Sequence, residues 1–311
     1  MKIVVYLLVV AVMLNAGCNV FPLSETSPTL TVSPAFHVMQ TKAVPTPSIE
    51  SITLTPSPTL SPEESETMIM DLLQNNNGCI FPCWWGLMPS KTEARTALFF
   101  FDKFTSLAVA HIFNEYGSYE RWLIPKDDLT LDISVSVSYG KQTPNLINSL
   151  QVTTQVTRKL DGGSEVAWEN PLNEQFFRAY MLPEILSVYG RPQDVLVFAN
   201  EGWRYFELLL DYSDKGFAIW YSAPLESSGK MFLGCPSKAF TKLYLWTPEF
   251  VYTWAEGVTG MGDKSEIEAL NRDFRPLQEV TSMTLDEFYS NFTNTENPGC
   301  IETPKVIWPG P

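Results

Sequence analysis

Two cysteines four residues apart frame the stretch Cys79-Ile-Phe-Pro-Cys83-Trp-Trp-Gly-Leu-Met-Pro89. Thiols at that spacing can close a short disulfide, with Pro82 bending the segment between them, or supply part of a zinc site. Zinc ligand pairs usually come as Cys-x-x-Cys, and no histidine of the body lies near in sequence to complete a set, so the disulfide is the expected chemistry and no metal is assigned. Trp84 and Trp85 offer stacking surfaces for a ligand. Consecutive residues in a stapled loop do not easily both point inward, so these two are the candidates for an exposed binding pair. Trp203, Trp220, Trp246 and Trp254 lie in or beside apolar runs and read as core. The catalytic repertoire is thin. His111 is the only histidine of the body and sits at the far end of an apolar helical pattern, so any Ser/His/Asp or Cys/His arrangement would depend on it alone. Ser227-Ser-Gly-Lys230 has the Ser-x-x-Lys spacing of serine acyl enzymes but falls in a turn between strands. Gly257-Val-Thr-Gly-Met-Gly-Asp-Lys-Ser265 has the glycines of a phosphate loop, yet Asp263 interrupts its core, and Asp263 with Glu266 reads instead as a helix cap. The carboxylates are many, and no spacing singles out a glycosidase pair. No catalytic residue and no cofactor is assigned.

The elements that position these residues read as α+β. Ser90-Lys-Thr-Glu93 has the form of a capping box, and Ala94, Ala97, Leu98, Phe101, Phe104 and Ala108 recur behind it at helical spacing. Leu129 to Tyr139 alternates apolar residues with Thr130, Asp132, Ser134, Ser136 and Ser138, the pattern of a strand with one wet face, and Leu150, Val152, Thr154 and Val156 continue it as an antiparallel partner. A second unit starts with Leu182, Ile185, Leu186 and Tyr189 on a short helix, with Pro183 in its first turn and a left-handed stop expected at Gly190. Three strands follow at Asp194 to Ala199, Trp203 to Tyr212 and Phe217 to Ala223, the last two joined by Ser213-Asp-Lys-Gly216. Lys242 to Trp246 reads as a strand, Phe250 to Trp254 as an aromatic stretch, and Thr284 to Phe292 as a helix opened by the capping box Thr284-Leu-Asp-Glu287. The expectation is two helix-on-antiparallel-sheet units, about 86–160 and 171–223, packed as one body over 66–311 with a C-terminal extension from 224.

Ahead of the body, Met1 to Gly17 has a charged Lys2, an apolar run from Ile3 to Leu14 and small residues before Cys18. That is the pattern of a signal peptide rather than of a span, which needs about 20 apolar residues. Ala16-Gly17-Cys18 resembles the lipobox of bacterial lipoproteins. The resemblance implies that Cys18 becomes a lipidated N-terminus carrying palmitate-type acyl chains, although Asn15 stands where that motif usually has a branched aliphatic; the other reading leaves Cys18 as an odd thiol. From Asn19 to about Ser65 the chain is rich in Ser, Thr and Pro and too polar to fold, so it reads as a disordered linker with His37 solvated. Such a tether reaches on the order of 40 Å if flexible and roughly three times that if extended.

With Cys18 acylated, four of the five cysteines remain. In an oxidising compartment they pair, in one of three ways. Cys79–Cys83 with Cys235–Cys300 is favoured, because the second bridge ties the C-terminal tail to the sheet. A formal net charge of -14 without a basic patch disfavours nucleic acid.

The helix, the Tyr189-Gly-Arg-Pro192 break and the strands behind it resemble the BamE-type (SmpA/OmlA) lipoproteins and the tandem repeats of β-lactamase-inhibitor proteins, and the Cys-x-x-x-Cys-Trp-Trp-Gly-x-x-Pro segment is similar to one found in bacterial surface lipoproteins. Those families imply binding and envelope assembly, not catalysis. The expectation is a protein outside the cytoplasm, anchored in the membrane by an N-terminal lipid, whose body binds an envelope protein. The alternative is a saccharide or small-ligand domain using Trp84 and Trp85, and a secreted hydrolase stands third. Oligomeric state is not legible.

Overall fold

The computed structural model describes residues 58–140, 145–168, 171–202, 204–236, 240–249, 253–260, 264–293 and 299–308. The first helix, α1 (Pro62–Asn75), starts four residues ahead of the expected body. Ser61 and Glu64 close a reciprocal capping box on it, Pro62 opens its first turn, and Ile69, Leu72 and Leu73 form its buried stripe. After the Cys79–Pro89 stretch comes α2 (Ala94–Asp102), shorter than its periodicity suggests. Ser90 does not cap it. The Ser90 hydroxyl meets that of Thr247, Glu93 is the cap residue without a side-chain bond, and the Ala94 N–H is taken by the Asn145 carbonyl at 2.7 Å. A backbone partner has replaced the side-chain cap.

Ala108 and His111, expected on that helix, lie in β1 (Ala108–Asn114). It is followed by β2 (Gly117–Lys126), β3 (Leu129–Tyr139), β4 (Ile147–Leu160) and β5 (Gly163–Val166). A second helix pair, α3 (Pro171–Phe177) and α4 (Leu182–Tyr189), leads into β6 (Asp194–Asn200), β7 (Tyr205–Tyr212), β8 (Phe217–Ser228), β9 (Met231–Gly234) and β10 (Phe240–Trp246). Gly190 ends α4 at φ 77° and ψ -162°, a region open essentially to glycine, rather than in the left-handed helical well. The C-terminal part adds α5 (Trp254–Thr259), α6 (Lys264–Asp273), β11 (Arg275–Pro276), α7 (Leu277–Val280), α8 (Leu285–Thr293) and β12 (Ile301–Pro304). Thr284 and Glu287 cap α8 as expected.

The fold is α+β, built on one large antiparallel sheet. Nine strands lie side by side in the order β1-β2-β3-β4-β10-β8-β7-β6-β11, with β5 on β4, β9 on β8 and β12 on β9. The two expected units are therefore joined by a strand from the extension, because β10 pairs with β4 on one side and β8 on the other. Registered partners share a face. One face carries Leu131, Ile133, Val135, Val152, Leu243, Ile219, Leu210 and Val195, all buried. Against it pack Phe101 and Phe104 at Trp122 in the first half, and Tyr189 at Phe217 in the second. The opposite face changes character along the sheet. Over β6–β8 it is covered, with Phe274 against Trp220 and Phe198, and Trp308 against Phe198, around buried polar side chains such as Glu207 and Ser222. Over β3 and β4 it is the wet face, and Ser134, Ser136, Ser138, Ser149, Gln151 and Thr153 are only half-buried.

Candidate functional site

The Cys79–Cys83 stretch is a buried knot. The two cysteines are joined, and the Asn76 side chain holds the loop from within, donating to the Cys79 and Cys83 carbonyls and accepting from the Trp85 N–H at 3.0 Å. Trp84 and Leu87 exchange both backbone bonds at 2.8 Å around Trp85 and Gly86, whose φ values are 55° and 88°. Two positive φ values at the central positions are the pattern of a type I′ turn. The turn interrupts the alternation that would send adjacent side chains to opposite sides, so both indoles face inward and stack at 3.9 Å. Trp84 is 0% and Trp85 1% exposed. Trp84 donates its N–H to the Tyr180 hydroxyl at 2.9 Å, and burial pushes the Tyr180 phenol up. The expectation that this pair offers a ligand an exposed surface is overturned.

His111 lies on the edge strand, half open to solvent. Its Nδ1 is 2.7 Å from Glu120 Oε2 and its Nε2 is 3.7 Å from Asp102 Oδ1. Burial raises the Glu120 pKa against the opposing pull of the histidine bond, and Glu120 Oε1 has no partner. Both ring nitrogens of His111 thus meet carboxylates among the described residues, one in a hydrogen bond and one in a looser ion pair. Ser227 lies within the last residues of β8, paired with Phe232 and with its hydroxyl against the Lys305 ammonium, and only Gly229 and Lys230 form the expected turn. Among the described residues no three His, Cys, Asp or Glu side chains converge in a way that could hold a metal. Cys18, His37, Trp203 and Asp263 lie outside the described residues.

The polar half of the sheet has the geometry of a site. Arg121 grips Asp132 with two bonds of 2.9 and 2.6 Å, and Gln155 adds a third at 3.1 Å, so the buried carboxylate of this face is neutralised. Beside it the registered rows are Ser134 with Thr153 and Lys242, Ser136 with Gln151 and Tyr244, and Ser138 with Ser149 and Trp246. The Ser138 and Ser149 hydroxyls meet at 2.6 Å. α5 forms the far wall, and its Gly257 comes so close that an added Cβ would lie 2.5 Å from the Trp246 ring. Between helix and sheet lies a groove of about 230 Å³ lined by Ser136, Ser138, Ser149, Gln151, Tyr244 and Gly257–Gly260. The alternation of β3 announced this polar face. The groove was not legible, since its wall is a six-residue helix 115 or more positions away in the chain. The chain matches no family model, and comparison with curated proteins and with solved structures gave no match.

Proposed function

We propose that this chain is an exported, lipid-anchored protein of the bacterial envelope that acts by binding, with the open polar half of its sheet as the contact surface. The observation that carries the reading is the asymmetry of the second sheet face, covered over β6–β8 and left over β3 and β4 as a ladder of serine, threonine and glutamine whose one carboxylate, Asp132, is neutralised by Arg121. A purely structural face would be apolar and covered, or studded with the charges that normally solvate a surface. The two disulfides fit an oxidising compartment. The helix pair followed by an antiparallel meander, occurring twice, fits the resemblance to BamE-type and inhibitor-type repeats.

Two measurements test this. Metabolic palmitate label and membrane partition should both be lost in Cys18→Ala. A photo-cross-linking amino acid at Ser134 should give a discrete adduct in cells, whereas one at Val306, which is 92% exposed, should not. Label on Cys18→Ala removes the anchor, and adducts equal at both positions remove the contact surface.

A further inference from the structure

Resting on that reading of the open face, we propose that the groove between α5 and β3, β4 and β10 binds a neutral polyhydroxylated ligand, one unit of a saccharide. Charge is the first argument. Among the described residues, no Asp, Glu, Lys, Arg or His side chain lines the larger cavity, so an ionic ligand would lose its hydration there without a counter-ion from them. Glu256, at the adjoining recess, spends its carboxylate on the Thr253 N–H as the cap of α5.

Hydrogen-bonding capacity is the second. The recess holds about 30 Å³ and is walled in part by the indole of Trp246. That residue is 2% exposed, so it closes the floor of the recess. Ser138 and Ser149 bond to one another at 2.6 Å, which leaves one hydroxyl hydrogen and further lone pairs to share. Gln151 offers a donor and an acceptor together. Mixed donors and acceptors without net charge are what a ring of hydroxyl groups requires.

Strand position is the third argument, and it separates a polyol from a peptide. An extended peptide gains its affinity by adding main-chain bonds at a sheet edge. β3, β4 and β10 are interior strands with partners on both sides, so only side chains can recognise a ligand here. The cavity of about 230 Å³ is smaller than the roughly 300 Å³ at which drug-sized sites begin, and suits a single sugar ring of a chain laid along Ser136 and Ser134.

The test uses the detergent-solubilised full chain on an array of hexose and N-acetylhexosamine oligomers, followed by calorimetric titration with the strongest oligomer. Binding is expected, with at least a five-fold loss of affinity in Gln151→Ala and in Ser136→Val, an unchanged melting temperature in both, and no loss in Val306→Ser. A blank array, or affinity retained in both groove variants, overturns the proposal. If the array is blank while Ser134 still cross-links in cells, the open face survives as a contact surface and the saccharide alone falls.

Discussion

At the scale of single residues, the buried carboxylates set how stability follows pH. Glu207 is 7% exposed on the covered part of the second face, bonded by the Ser222 hydroxyl at 2.5 Å and by the Trp220 indole. Burial raises its pKa from the ordinary 4.5, against the pull of those bonds and of nearby Lys242. Asp211, Asp194 and Glu120 shift the same way, with burial first among the causes. A raised carboxyl holds its proton in the folded state after the unfolded chain has released it. The folded state then binds more protons, so stability falls as pH rises from the ordinary value through the raised one. Glu207→Gln keeps an acceptor oxygen for Ser222 and Trp220 and removes the buried charge. It should be more stable than the parent in urea melts at pH 8, and the advantage should vanish by about pH 4. A difference of the same size at both pH values would rule the linkage out. The tryptophan pair shows what single-residue reading missed. The spacing of Cys79 and Cys83 made the staple legible, but the inward turn of both indoles needs a positive φ at Trp85, which nothing about tryptophan announces.

At the scale of elements, the second disulfide belongs to a ladder. β12 pairs with β9, and the register Ile301 to Gly234 sets Cys300 opposite Cys235, the next residue along. Phe206 fills the space beside Gly234, where a Cβ would lie 1.9 Å from its ring. The bridge spans 65 residues of sequence. On chain entropy it contributes about 4 kcal/mol, against about 2 for the short loop. Cys235→Ala with Cys300→Ala should therefore lower the unfolding free energy by about twice as much as Cys79→Ala with Cys83→Ala, read from denaturant melts without reductant; the reverse order would show that the tail is held by β9 and β12 packing alone. The elements that sequence resolved are those whose periodicity is hydrophobic, such as β3, β4, α4 and β6. β2 alternates as strictly, but its inward set is Ser118, Glu120, Trp122 and Ile124, so half of the signal is polar. β1 is short and exposed, and its alanines continue the pattern of the helix before it. α1 did carry a sign, the Ser61 to Glu64 capping box, submerged in a proline-rich stretch.

At the scale of the molecule, the two halves of the sheet are held by a strand that neither half contributes. β10 arrives after the second meander and lies between β4 and β8, with Leu243 between Val152 and Ile219 and Leu245 between Leu150 and Phe217. Both leucines are buried, at 1% and 0%. Gly216 locks the end of the strand: its carbonyl accepts the Trp246 N–H at 2.8 Å, and its φ of 78° suits glycine. Removing Leu243 opens a cavity on the core face at the seam, a change that costs about 2–5 kcal/mol in a well-packed core. If the seam makes one cooperative unit, Leu243→Ala lowers hydrogen-exchange protection by the same free energy at Ile133 in β3 and at Leu208 in β7. Loss confined to one side would mean that each half opens alone and that β10 is an attachment. The groove and the open face lie on β3 and β4 while the wall, α5, follows β10, so only a seam that holds both halves together keeps the wall in place against the serine ladder.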